Sequence, residues 1–206
     1  MRGPFFNFLP IRFGVAVISA VSIALFSAGV AAHTGQAALY GGGFDAGFTH
    51  PFSGIDHLLV MLSVGIWSGR IGGRVTWLAP LAFVAMMVVG GAVGMAHLPL
   101  PHAEIGIALS VAIFGLILAV SWQPNLVIAI GVTGLFALFH GHAHGAEMGV
   151  TVSPLLYGLG FVLATAMLHL VGIGIAKVLC QSRQQDALLR WIGVSVSVVG
   201  CWLLAT

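Results

Sequence analysis

Apolar residues run along this chain in long blocks almost free of charge, and the polar residues collect between the blocks. From residue 53 onward the pattern predicts six membrane-spanning helices, over about 53–69, 75–96, 103–120, 125–140, 153–176 and 189–205. Each is roughly long enough to cross a ~30 Å hydrocarbon core at ~1.5 Å per residue. The connections carry Arg70 and Arg74, then His97-Leu98-Pro99-Leu100-Pro101-His102, then Gln123-Pro124-Asn125, then a histidine-rich stretch, and last Lys177 to Arg190. The expected fold is all-α, a polytopic helical membrane bundle of six spans following a signal peptide, with residues 33–206 as one domain.

The first 32 residues read as that signal. Arg2 and Arg12 form a basic start, Phe13 to Phe26 an apolar stretch, and Val30-Ala31-Ala32 a small-residue cleavage site. The alternative is an uncleaved first helix, because residues 13–32 are just long enough to span. Cleavage would begin the mature chain at His33, whose free amine and imidazole can chelate a cation; a plain polar leader is the other reading. His33 to Gly47, with Gly41-Gly42-Gly43, reads as a short flexible lead-in.

Composition narrows the class further. The chain is 59% hydrophobic and 6% charged, whereas roughly a quarter of residues in soluble domains are charged. A soluble domain is thereby excluded, and the lipid bilayer is the first partner. If the first span starts outside, all seven basic residues fall on one side: Arg2, Arg12, Arg70, Arg74, Lys177, Arg183 and Arg190. The positive-inside rule makes that side cytoplasmic, as expected for a multi-pass protein of the bacterial inner membrane. Cys180 and Cys201 then lie near opposite faces, so no disulfide framework is expected. No Gly-x4-Gly-Lys-Ser/Thr phosphate loop occurs and Lys177 is the only lysine, so neither nucleotide nor nucleic acid is an expected partner.

The same topology sorts the histidines. Eight lie at or near the outer face, with Asp45, Asp56, Glu104 and Glu147, and only Asp186 lies inside. His169 alone sits deep, roughly 22 Å into its helix if that helix begins at Pro154. Two stretches concentrate the ligand chemistry: His50-Pro51-Phe52-Ser53-Gly54-Ile55-Asp56-His57 and Phe139-His140-Gly141-His142-Ala143-His144-Gly145-Ala146-Glu147. Ionisable groups at the head or tail of a membrane span are costly, and they are functional candidates by default.

In the first stretch Pro51 suits the first turn of the span, with His50 just before it. On a continuous helix His50 and His57 stand ~10 Å apart along the axis. Both can ligate one ion only if the backbone bends near Ser53-Gly54. Asp56 can ligate or orient another histidine's ring, and Met61 offers a thioether one turn beyond His57. In the second stretch His140, His144 and Glu147 share a face if the helix continues; alternatively Gly141 and Gly145 break it into a loop. Three histidines, including His142, and a glutamate within eight residues suit Ni²⁺, Co²⁺, Cu²⁺ or Zn²⁺. The plainer readings are hydrogen bonds from Asp56 and His57 to neighbouring helices, and an exposed loop that scavenges metal. For His97 and His102 a loop role is the plainer reading, and for His169 a hydrogen bond to a backbone carbonyl. Gly65/Gly69 and Gly90/Gly94 read as packing faces.

His50-Pro-x-x-Gly54-x-Asp56-His57-x-x-x-Met61-x-x-Val64-Gly65-x-Trp67 and Phe139-His140-Gly141-x-Ala143-His144-Gly145-x-Glu147 resemble the two signatures of the HupE/UreJ family of nickel permeases. The resemblance covers essentially residues 33 to 206. It implies a metal path through His50, Asp56, His57, His140, His144 and Glu147, with His142 at a variable position. It also implies an importer of Ni²⁺, or of Co²⁺, that supplies hydrogenase or urease maturation, is not an enzyme and holds no tight cofactor, its ion being cargo. A cytoplasmic metallochaperone is the implied acceptor. A divalent cation moving inward gains ~4.6 kcal/mol per 100 mV of inside-negative potential, at ~2.3 kcal/mol per charge. Two other classes compete: a histidine-box membrane metalloenzyme, and a metal-binding partner of another transporter.

Overall fold

The computed structural model describes residues 43–148, 153–180 and 183–206. Among them the chain is entirely helical: α1 Phe44–Ser53, α2 Ile55–Ile71, α3 Val75–Met95, α4 Ala103–Ala119, α5 Leu126–Glu147, α6 Pro154–Leu179 and α7 Arg183–Ala205. The signal-like start and His33 lie outside the described residues. Helices α3, α5, α6 and α7 are each long and apolar enough to cross a membrane. Helices α1 and α2 pass that test only together, as a pair bent by 84°, and α4 is a shorter apolar helix of 17 residues.

Three expectations need correction. The lead-in is already helical from Phe44, so Gly47 belongs to α1. Pro51 sits inside the last turn of α1 rather than opening the following span. The fourth predicted span does not stop at residue 140 but runs through the second histidine stretch to Glu147.

The last correction has a packing cause. Gly141 and Gly145 do not break α5; they let it press against α3. A Cβ at Gly141 would run into the backbone of Met87, and one at Gly145 into that of Gly91. From the other side, Gly90 and Gly94 of α3 meet the backbones of Leu138 and His142. In lipid, where burying apolar surface drives little helix association, such close backbone approach supplies the packing energy. Helices α2 and α6 use Gly65, Gly69 and Gly172 in the same way, and α4 and α7 use Gly115, Gly193 and Gly200. The glycine faces Gly65/Gly69 and Gly90/Gly94 are therefore packing faces, as their spacing predicts.

These contacts bring both sequence motifs to one end of the bundle and the basic residues to the other. The interior between is apolar, with Val60, Met61, Val64, Trp67, Phe83 and Phe114 buried. The outer surface is apolar too: Leu81, Val127 and Leu155 are 61%, 78% and 71% exposed. In water that surface would drive aggregation; in a bilayer it faces its proper solvent, and the chain is a multi-pass membrane protein.

Candidate functional site

The site begins with the break between α1 and α2. Gly54 lies between them in extended backbone, φ −94° and ψ 118°. Any residue adopts those angles, so conformational freedom is not why glycine stands here. A Cβ would lie 2.8 Å from Asp56 Oδ1 and 3.0 Å from His57 Nδ1. Glycine makes room for the Asp56–His57 pair to fold back over the break. The bend that the sequence requires for His50 and His57 to meet is present, and their ring centroids stand 5.9 Å apart.

Helix α5 completes the group from the other side. His140 and His144, one turn apart, occupy one face of α5, while the flanking glycines hold a different face against α3. The His144 ring lies 4.4 Å from that of His50 and 4.3 Å from that of His57. His140 lies 4.8 Å from His57. Four imidazoles thus form a continuous run, His50–His144–His57–His140, with His144 and His57 at its centre. The Phe161 ring of α6 covers His144 at 4.4 Å.

Burial makes this arrangement costly. His57, His140 and His144 are all buried, His140 completely. Yet His57 Nε2, His140 Nδ1 and both nitrogens of His144 have no hydrogen-bond partner among the described residues. A buried unsatisfied polar group costs about 1–3 kcal/mol, and a packing role would be filled better by an apolar side chain. Neutral imidazole lone pairs are what a borderline divalent cation binds.

Two neighbours set which nitrogen carries that lone pair. Asp56 Oδ1 lies 2.7 Å from His57 Nδ1 and also accepts from the His57 backbone N–H at 2.8 Å. A carboxylate only accepts, so His57 Nδ1 bears the proton and Nε2 is left free to ligate. On α4, the Ser110 hydroxyl donates its single proton to the Ile107 carbonyl at 2.6 Å. Its oxygen therefore accepts from His140 Nε2, 2.9 Å away, which leaves the lone pair on Nδ1. In both cases the nitrogen freed by the network is the one without a partner.

The remaining candidates are dispersed. His142 points away from the run, its Nε2 donating to the Leu98 carbonyl at 2.8 Å and tying α5 to the α3–α4 connection. His97 and His102 are exposed in that connection, both at positive φ. Met61 is fully buried in the apolar core one turn beyond His57. Glu147 is the last residue of α5, three positions after His144. His169 is buried in α6, and it does not make the backbone hydrogen bond considered for it: neither nitrogen has a partner among the described residues. Sequence reasoning missed Ser110, Phe161 and Phe83. A serine inside an apolar helix was a readable signal for the first; phenylalanines in apolar blocks offer none.

Among the described residues no three histidine, cysteine, aspartate or glutamate side chains are drawn together as a closed ion-binding set. The geometry is a run of neighbouring ligands rather than one coordination shell.

The family model described as HupE / UreJ protein matches residues 21–203. Protein HupE of Rhizobium leguminosarum bv. viciae is 41% identical over 173 residues, covering 84% of this chain and 88% of that protein. No solved structure matches significantly.

Proposed function

The chain belongs to the HupE/UreJ family, and from that premise we propose that it is a permease carrying Ni²⁺, or Co²⁺, inward across the bacterial inner membrane. The family is associated with nickel and cobalt uptake for hydrogenase and urease, and its members are metal transport or accessory proteins rather than enzymes. The observation that carries the reading is the run of four imidazoles at one end of a membrane bundle, of which His57, His140 and His144 keep buried ring nitrogens unpaired among the described residues. Such a run replaces part of an ion's hydration shell stepwise. Asp56, held on His57, supplies negative charge where the ion is desolvated.

In this proposal the bent pair α1–α2 counts as one crossing and α4 as a short one, giving six. The motif end faces outside, and the end bearing Arg70, Arg74, Lys177 and Arg190 faces the cytoplasm. The membrane potential draws the cation inward, and binding must stay weak enough for release. The ion is then handed to a cytoplasmic metallochaperone. A metalloenzyme would need a general base beyond the proposed ligands. Purified protein in liposomes tests the proposal. Potential-driven ⁶³Ni²⁺ entry by the chain alone is the expected result; nickel binding with no flux would favour the metal-binding partner.

A further inference from the structure

His169 has no place in the run of four imidazoles, and its surroundings are specific. It is 2% exposed, and both of its ring nitrogens lack a partner among the described residues. Leucine or phenylalanine would fill the same volume in an apolar interior without that cost. Its position along α6 is also informative. Phe161, Thr165 and His169 follow one another at four-residue spacing and share a face. Phe161 touches His144 of the run, so His169 lies about 12 Å further along the same helix face.

Helix α3 lines the other side of that interval. The Phe83 ring stands 5.8 Å from His140 and 5.1 Å from His169, so it touches both the run and the deep histidine. One turn along α3, the Met87 thioether sulfur lies 3.9 Å from the Thr165 hydroxyl. Thr165 and Met87 are both buried. The Thr165 hydroxyl and the Met87 thioether thus lie along α6 and α3 between the four histidines and His169, with the Phe83 ring against both His140 and His169. Gly65 of α2 packs against the backbone carbonyl of His169 and fixes the height of that residue.

We infer that His169 forms a second, deeper station for the same divalent cation, reached from the histidine run past the Thr165 hydroxyl and the Met87 thioether and beside the Phe83 ring. The inference rests on the permease reading for its biological sense, but the station itself is a binding site testable without transport. Two stations in series allow an ion to be held, released inward and replaced from behind, as multi-site conduction requires. With one imidazole against four, the deep station is the weaker of the two.

The test uses the full chain in lipid nanodiscs, equilibrated with Ni²⁺ alone, and the same preparations in liposomes for flux. Wild-type protein should hold one nickel equivalent more than His169→Leu, which removes both nitrogens and keeps an apolar side chain of similar bulk. His50→Ala/His144→Ala should retain the equivalent that depends on His169. Uptake by His169→Leu should fall at least tenfold. Equal nickel stoichiometry in wild type and His169→Leu overturns the station, whether or not the wild type transports. A His169-dependent equivalent without any wild-type flux upholds the station while the permease reading fails. If His169→Leu does not assemble, His169→Gln keeps the polarity and takes its place: loss of the equivalent supports the station, and its retention overturns it.

Discussion

The two ends of this bundle treat buried polar groups in opposite ways. At the basic end the buried charge among the described residues is answered. Arg70, almost wholly buried, pairs with Asp186 and reaches the Leu118 carbonyl; Arg190 joins the same carboxylate at 3.3 Å. Nearby, the Trp67 indole donates to the Trp122 carbonyl at 2.7 Å. At the motif end the imidazoles of His57, His140 and His144 are as deeply buried, but each keeps a ring nitrogen unpaired among the described residues. Satisfied groups there would be inert toward a cation. The contrast separates polar residues that close the bundle from polar residues that are kept available.

The comparison can be broken most sharply at its centre. His144→Ala removes the ring that touches both His50 and His57, and initial nickel uptake should fall more than about 100-fold, since even residues that only orient a ligand are worth about 10- to 100-fold. Membrane level by immunoblot should stay near wild type, because the ring makes no hydrogen bond to lose. Normal uptake at matched expression would remove the histidine run from the path.

Asp56→Asn tests the orienting partner. The amide keeps the side chain's shape but loses the charge and need not select the same His57 tautomer. Uptake should drop about 10- to 100-fold, measured as initial rates in liposomes. Gly54→Ala should act more mildly. Its new methyl would crowd Asp56 Oδ1 and His57 Nδ1 at 2.8 and 3.0 Å, displacing the pair without removing it. A several-fold loss of uptake with an unchanged thermal midpoint is expected; a loss of stability with normal uptake per folded molecule would mean that the glycine serves only the helix break.

The opposite end should answer in the opposite currency. Arg70→Ala strips Asp186 of its buried partner, though Arg190 remains. Stability should fall by about 1.5–3 kcal/mol, the range for hydrogen bonds to charged groups, read as a lower thermal midpoint in detergent. Nickel uptake per folded molecule should change least of all four variants. A selective loss of uptake would instead give the basic end a part in the path.

Much of this protein was determined by its sequence alone. Charged and apolar residues differ so strongly in their cost within lipid that the helical blocks, the two ligand-rich stretches and the segregation of basic residues are legible without coordinates. Helical period also put His140 and His144 on one face. Other features depended on how segments distant in the chain approach one another. Gly141 and Gly145 were ambiguous between breaking α5 and packing it, and only the backbone of α3 against them decides for packing. Ser53-Gly54 was named as the place for a bend, while Pro51 was read as opening a helix that it in fact closes; the angle of the bend follows from α1 lying against α6 and from the Asp56–His57 pair folding over Gly54. His142 is as good a ligand as His144 by composition; contact with Leu98 turns one outward, and contact with His50 and His57 holds the other in the run. Local pattern states what each residue prefers, whereas which lone pairs remain unpaired is settled only when the neighbouring helices have used up the others.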